Sequence, residues 1–265
     1  MKKKKILVTG CAGFIGSNLC EKLIENGYHV TGIDNLSTGK LIFIKNIKNN
    51  KKFKFLKLDL FKEKKLYKYF KGNHVVFHLA ANADVKNGFL HPKKDLEQNT
   101  IVTFNVLEAM RKNKIKKIIF SSTGSIYGEP KNFPTKENSP FPQQTSLYGS
   151  SKLSCEALIQ SYCSGFGFNS IIFRFVSIMG SRYTHGHLFD FYKQLLKNKK
   201  KLKVLGNGMQ KKSYLNIDDC IRAMMLVMKK NNKNVNIYNL GTDRFITVKY
   251  SIKIILKILR LDPKI

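Results

Sequence analysis

The tightest constraint on this chain lies close to its start. Ile6-Leu7-Val8-Thr9 is an apolar run of strand length that stops at Gly10, and an amphipathic segment comes almost at once through Gly13-Phe14-Ile15-Gly16-Ser17-Asn18-Leu19. Gly10 allows the tight turn, Gly13 removes a side chain that would hold backbone N–H groups away from a pyrophosphate, and Gly16 lets the new helix lie close to the strand. Phosphates then sit at a helix N-terminus around Phe14 and Ile15, where unpaired N–H groups and the helix dipole favour an anion.

Glycines also punctuate ordinary turns, so a nucleotide site requires a second strand with an acid at its end. Tyr28-His29-Val30-Thr31-Gly32-Ile33 reads as that strand, and Asp34 stands at its end. It falls about 20 residues past the turn, where an acid takes a ribose hydroxyl pair. A carboxylate there with no arginine beside it favours NAD over NADP, whose extra phosphate the acid repels.

The 265 residues suit one large α/β domain, or one domain with a smaller lobe. No apolar stretch is long enough to span a membrane. The basic start Met1-Lys2-Lys3-Lys4-Lys5 looks like a signal peptide, but the run after it is broken by Thr9, Gly10, Gly13 and Asn18, so a cytoplasmic protein is expected. Cys11, Cys20, Cys155, Cys163 and Cys220 show neither CxxC nor metal-ligand spacing, which fits free thiols in a reducing compartment. The formal charge of +31 raises nucleic acid as a partner. The excess is nearly all lysine, spread along the chain among Asn and Ile, and arginine stands only at 111, 174, 182, 222, 244 and 260. That pattern reads as compositional bias, and salt-sensitive contact with polyanions ranks below a nucleotide-binding enzyme.

Further along, Leu19, Leu23 and Ile24 give the first helix an apolar face and Asn26-Gly27 ends it. Residues 40–52 are basic and ambiguous. Phe53 to Leu58 alternates like a strand that ends at Asp59-Leu60. His74 to Ala81 reads as a buried parallel strand running into small residues, Leu79-Ala80-Ala81, which let the backbone approach a cofactor. His78 within it reads as a core or strand-end histidine. Pro92 to Asn113 is helical, Lys116 to Phe120 is a strand, and hydroxyls cluster after it in Ser121-Ser122-Thr123. A Pro-rich loop, Pro130 to Pro142, leads to a helix capped by Thr145 or Ser146.

Tyr148-Gly149-Ser150-Ser151-Lys152 lies on that helix, with the phenol and the ammonium on one face. A fixed lysine cation beside an oxidised nicotinamide favours phenolate, which makes Tyr148 a candidate general base. A Tyr and a Lys four apart are usually packing and solvation; here they come after a glycine turn, a strand-end acid and a hydroxyl-rich strand end.

The Gly10-x-x-Gly13-x-x-Gly16 spacing, the loop Asp34-Asn35-Leu36-Ser37-Thr38-Gly39, the segment His78-Leu79-Ala80-Ala81 with Asn82-Ala83-Asp84-Val85, and Tyr148-x-x-x-Lys152 resemble the extended short-chain dehydrogenases/reductases, the NAD-dependent sugar-nucleotide epimerase and dehydratase family. The resemblance implies a Rossmann-type doubly wound parallel sheet in residues 1–175 and a smaller substrate lobe in 176–265. The lobe reads as incomplete, since relatives continue farther; the chain is then a fragment, a truncated gene product or a shortened variant. It implies cofactor contacts from Asn35, Ser37, Thr38, Gly39, Asp59, Leu60 and Asn99. Thr123 takes the place of the hydroxyl partner that orients the reacting sugar oxygen, with Ser122 the choice if the register is off by one, and Lys152 would hold the nicotinamide ribose. On the substrate side the resemblance implies Ser177, where relatives usually have asparagine, and a hairpin from Lys203 to Tyr214 carrying Leu205 and Lys212. His187 belongs to a substrate-side loop from Arg182; with His185 it is spaced like a metal pair, but no third ligand is suggested and no metal is expected.

Family dehydratases carry an Asp-Glu pair after Thr123, where this chain has Gly124-Ser125. The resemblance therefore implies a UDP-sugar 4-epimerase, of the glucose/galactose type, with a homodimer formed through helices near 95–112 and 146–163. Another nucleotide-sugar epimerase, reductase or dehydratase of the same family, a non-catalytic NAD-binding protein and a lysine-rich RNA binder remain as other readings.

Overall fold

The computed structural model describes residues 4–83, 88–130, 132–141, 143–229 and 234–264. Asp84 and Val85, Lys131 and Pro142 of the Pro-rich loop, and the opening Met1-Lys2-Lys3 lie outside the described residues. In chain order the elements are β1 (Lys5–Thr9), α1 (Phe14–Glu25), β2 (His29–Asp34), β3 (Phe53–Lys57), α2 (Tyr67–Phe70), β4 (Val75–His78), α3 (Pro92–Asp95), α4 (Val102–Lys112), β5 (Lys117–Thr123), α5 (Leu147–Phe166) and β6 (Asn169–Phe175). After them come β7 (Ser177–Met179), α6 (His187–Lys197), β8 (Lys211–Lys212), β9 (Tyr214–Asn216), α7 (Ile217–Met228), β10 (Val235–Leu240), β11 (Ile246–Thr247) and α8 (Val248–Leu259). A π-helical turn, Leu96–Ile101, joins α3 to α4.

Seven strands form one sheet in the order β10-β6-β5-β4-β1-β2-β3. The pairs β1 with β2, β1 with β4, β2 with β3, β4 with β5 and β5 with β6 are all parallel. The order reverses between β1 and β4, so the two halves of the sheet diverge there and ligands bind beyond the strands' C-terminal ends. Ile6-Leu7-Val8, Val75-Val76-Phe77 and Ile118-Ile119-Phe120 are buried, as continuous apolar runs in parallel strands covered on both faces must be. Leu19, Leu23 and Ile24 of α1 are buried too, and Gly27 leaves the helix at a φ of +80°. Ser146, rather than Thr145, caps α5: its hydroxyl accepts from the Gly149 N–H at 3.0 Å. The five cysteines are buried free thiols.

The chain divides into two compact units, Met1–Phe175 with Asp218–Asn239, and Val176–Ile217 with Leu240–Ile265. The chain passes from the larger unit to the smaller after Phe175 and returns to the larger for Asp218–Asn239. The return has a physical cause: β10 pairs beside β6, which would otherwise be an open sheet edge. In the smaller unit, α6 and α8 close a core of Phe191, Leu195, Leu202, Val248 and Ile252. The segment from Lys203 to Tyr214 does not fold on itself as a hairpin. Its short strand β8 pairs antiparallel with β11, and β9 pairs in parallel with β7. Gly206 and Gly208, both at positive φ, turn the backbone before β8.

His78 is a core residue, as its sequence position suggested. Its Nδ1 meets the Thr9 hydroxyl at 2.8 Å and its Nε2 the Thr103 hydroxyl at 3.0 Å. Thr103 donates to the Cys155 sulfur, and Thr9 accepts from the N–H groups of Leu79 and Ala80. The network is satisfied by a neutral ring protonated on Nε2. Burial pushes the His78 pKa down to about 3. The unfolded chain binds this proton near the ordinary pH of 6.5, so stability is whole above that value and is lost progressively as pH falls toward 3. Thermal melts between pH 7 and pH 4 should show the wild type losing about 3 kcal/mol more than His78→Gln, whose amide can serve both threonines; parallel slopes for the two proteins would refute the assignment.

Candidate active site

The loop from β1 to α1 is shaped by backbone packed against backbone. Gly10 has a φ of +70°, and a Cβ on it would lie 2.8 Å from the Ala80 nitrogen. A Cβ on Gly16 would lie 2.1 Å from the Gly10 carbonyl oxygen, and one on Gly13 3.2 Å from the same atom. The first helical turn has Gly13 at its N-cap and no side-chain cap, so its backbone N–H groups are presented to whatever sits on the loop. Phe14 contributes only backbone there, since its side chain is buried in the core. Ile15 is half-buried at the same turn.

Asp34 is locked into this loop. Its Oδ2 accepts from the Ala12 N–H at 2.9 Å and its Oδ1 from the Leu36 N–H at 2.8 Å. Burial raises its pKa, and the two N–H donors act against that rise. Gly39 leaves the carboxylate uncrowded, because a Cβ on it would lie 2.7 Å from Oδ1. The structure also brings Asn35 to Asp59, with the amide donating to Asp59 Oδ2 at 3.3 Å. Ser37 and Thr38 are exposed on the intervening turn. Leu60 has its side chain in the core and offers only backbone. The strand-end carboxylate and the tight glycine loop fit the ribose and pyrophosphate of a dinucleotide.

At the end of β4, Leu79, Ala80 and Ala81 are half-buried, and Asn82 pairs with Asn99. The Asn82 N–H donates to Asn99 Oδ1 at 2.8 Å, and the Asn99 amide donates to the Ser151 hydroxyl at 2.9 Å. Asn99 sits in the π-helical turn, a feature that recurs at functional sites. It ties the β4 end to the turn of α5 that carries Tyr148 and Lys152.

Lys152 is buried, with its ammonium donating to the Ser121 carbonyl at 2.8 Å and lying over the Phe120 ring at 4.6 Å from its centroid. Burial lowers its pKa to about 8. Tyr148 is pushed up to about 12 by burial, and its hydrogen bond with Thr123 acts in the other direction. Thr123 also donates to the Ser125 hydroxyl at 3.1 Å. Ser122 is spent elsewhere: it is buried and donates to Glu156, which is paired with Arg174 at 2.8 Å. The register is thus the one that places Thr123, and not Ser122, against the phenol.

In the smaller unit, Ser177 and His187 both meet Tyr214. Ser177 is its partner in the β7–β9 ladder, and His187 Nε2 lies 2.7 Å from its phenol oxygen. His187 opens α6 rather than lying in the preceding loop, and His185 instead meets the Thr184 hydroxyl at 3.3 Å. Leu205 is exposed, and Lys212 is an exposed residue of β8 opposite Ile246. Tyr214, Ser151, Asp95 and the Glu156–Arg174 pair escaped the reading by spacing, because each is placed by contacts between segments distant in sequence.

Geometry of this kind defines a Rossmann-type enzyme with a dinucleotide cradle. Residues 6–241 match the model of the NAD dependent epimerase/dehydratase family. The chain belongs to that family, and its cofactor is NAD. It is 31% identical over 227 residues to the UDP-glucose 4-epimerase of Mycolicibacterium smegmatis, a match covering 83% of this chain and 72% of the relative. The UDP-glucuronic acid 4-epimerase from Bacillus cereus, solved with UDP-glucuronic acid and NAD, superposes at a TM-score of 0.91 with 33% identity, covering 98% of this chain and 84% of that one. The UDP-N-acetylglucosamine 4-epimerase from Methanobrevibacter ruminantium gives 0.89 at 30% identity, with 99% and 84% covered. The family-level reaction is therefore nucleotide-sugar epimerase/dehydratase chemistry.

Gly10→Ala and Gly16→Ala should each purify with less than about a tenth of the NAD carried by wild type, because both place a methyl against backbone that has nowhere to move. Cofactor released by acid and quantified enzymatically checks this; full NAD content in both variants would show that the loop does not hold the pyrophosphate.

Proposed function

We propose that the protein interconverts UDP-glucose and UDP-galactose by transient oxidation at C4. The observation that carries this reading is the nearness of Thr123, at the end of β5, to the Tyr148 phenol, with Gly124-Ser125 next in the chain where a dehydratase needs carboxylates. With Gly124-Ser125 after Thr123, no carboxylate stands at the two positions where a dehydratase carries its Asp-Glu pair.

Tyr148 takes the proton of the C4 hydroxyl, and Thr123 aligns that hydroxyl toward the phenol. Lys152 supplies a cation on the same face of α5 and holds the nicotinamide ribose. Bound NAD would supply reversible hydride acceptance at C4. Between the two transfers the sugar presents its other face, so the protein holds the nucleotide firmly and the hexose loosely. Asp34, Asn35, Asp59 and Asn99 serve the cofactor, and Ser177, His187, Leu205 and Lys212 serve the nucleotide end of the substrate. Lys212 stands where many relatives have arginine, so it meets a diphosphate as a point charge without a bidentate fork.

A homodimer belongs to the same reading. Leu96, Ile101 and Phe104 are exposed along the helical run from the π turn into α4, an apolar surface of the kind that pairs with a second copy. Light scattering should report twice the chain mass for wild type and a single chain for Phe104→Glu; equal masses would remove this surface from consideration.

The substrate assignment is tested by incubating the purified protein, without added NAD, with UDP-glucose, UDP-glucuronic acid and UDP-N-acetylglucosamine, and resolving the products by chromatography. Conversion of UDP-glucose to UDP-galactose is expected, and turnover of only one of the other two would replace the hexose. Tyr148→Phe should lower kcat by about 10² to 10⁴ while retaining the cofactor; wild-type turnover in that variant would remove Tyr148 as the base.

A further inference from the structure

Asp95 is the least expected residue of the larger unit. It is 1% exposed, at the end of α3. Its Oδ1 accepts from the Asn82 amide at 2.8 Å and from the Asn99 amide at 3.3 Å. Its Oδ2 is buried with no hydrogen-bond partner among the described residues. Gly88 lies against that oxygen, and a Cβ there would come within 3.1 Å of it. A carboxylate left half-satisfied in a core costs stability, and such a group calls for a role.

The contacts of Asp95 lead to the α5 turn. Asn99 bonds Ser151, and the Ser151 hydroxyl donates to the Tyr148 carbonyl at 2.9 Å. Thr100 adds a bond to the Ser151 carbonyl at 3.4 Å. We propose that Asp95 is a positioning residue for the reaction: it closes the polar cage of Asn82, Asn99 and Ser151 that fixes the Tyr148–Lys152 turn, and its unpaired oxygen sets a negative charge against that turn. This rests on the assignment of Tyr148 as the base.

The ionisable groups around the turn single out Asp95 for the second part. The Asn99 amide is shared between Asp95 Oδ1 and the Ser151 hydroxyl, and Gly88 lies against both Asp95 Oδ2 and Leu147, so Asp95 stands beside the start of α5. Cys155 and Asp95 act electrostatically on Tyr148, Cys155, Glu156 and Asp95 act on Lys152, and Lys152 acts on His78. Burial keeps Cys155 a thiol and His78 neutral. Glu156 is spent on Arg174 and Ser122. Asp95 is left as the one carboxylate of this set with an oxygen that no donor covers among the described residues. Its charge favours the Lys152 ammonium and opposes ionisation of Tyr148, so the phenol keeps its proton until other positive charge arrives.

The test uses holoprotein labelled with 3-fluorotyrosine, with the Tyr148 resonance assigned by its loss in Tyr148→Phe, titrated by fluorine NMR. Asp95→Asn keeps the shape and the acceptor for Asn82 but removes the charge, and should lower the Tyr148 midpoint by about one pH unit. Ser151→Ala keeps the charge and loosens the cage. It should leave the midpoint in place while lowering kcat about tenfold at unchanged KM. If Asp95→Asn does not yield folded holoprotein, Asp95→Ser, which leaves room for a water beside Asn82, takes its place. An unmoved midpoint in the folded charge-removing variant overturns the proposal. The titration needs no sugar, so it reads Asp95 even if wild type turns over none of the UDP-sugars, a result that would count against the assigned reaction alone.

Discussion

The larger unit depends on how closely three pieces of backbone approach at the C-terminal end of β1. Gly10 lies against Ala80, Gly16 against Gly10, and the Gly10 N–H donates to the Ile33 carbonyl at 2.8 Å. That approach brings β1, β2, β4 and the start of α1 to one point. No larger residue can stand at positions 10 or 16 without moving main chain, so the geometry is set by excluded volume before any ligand is considered. Side-chain bonds then secure it from two directions: Asp34 from β2, and the Thr9–His78 pair from within the sheet. A dinucleotide cradle results because the same packing leaves the helix N-terminus uncapped by any side chain.

The second half of the site is held by longer reach. Tyr148 and Lys152 share a helix face because of their spacing, but the height of that helix over the sheet is set by contacts remote in sequence. Lys152 donates to the Ser121 carbonyl, and Asn99 reaches Ser151 across 52 positions. Glu156 completes the anchor one turn further on, paired in the core with Arg174, whose guanidinium also donates to the Tyr127 phenol at 2.6 Å. A buried ion pair is weak evidence for net stability, but removing one member strands the other charge. Its position between β6 and α5 makes it a register device for the helix.

Local and long-range contacts differ in how far the sequence discloses them. Features carried by local rules were legible: the glycine turn, Asp34 at its strand end, the Tyr148–Lys152 spacing, and His78 as a core residue. Caps were legible to within one position, with Ser146 chosen over Thr145 because the helix phase brings its hydroxyl to the Gly149 N–H. Features that depend on pairing between distant segments were not. β8 contains only two residues and carries no alternation, so its partner at Ile246–Thr247 had no local signature. The return of Asp218–Asn239 to the larger unit was hidden for the same reason, since a strand does not announce which sheet edge it completes. Asp95 reads as an ordinary acid near a helix start, and its burial becomes visible only when Asn82 and Asn99 close over it.

The ionisation states argue that the reactive form of this site is not a property of the polypeptide alone. Burial acts on Tyr148 and Lys152 in opposite senses, raising the phenol to about 12 and lowering the ammonium to about 8. Both shifts move toward the uncharged form, as desolvation requires, and the distance between the two values still leaves the phenol protonated and the amine mostly charged at neutral pH. The Thr123 hydrogen bond opposes the rise and does not cancel it. A base that works near neutrality therefore needs further positive charge beside the phenol, which the crevice at the head of β1 and β4 is shaped to admit. The polypeptide alone keeps the proton on Tyr148, so any use of this phenol as a base depends on the charge that the dinucleotide crevice admits.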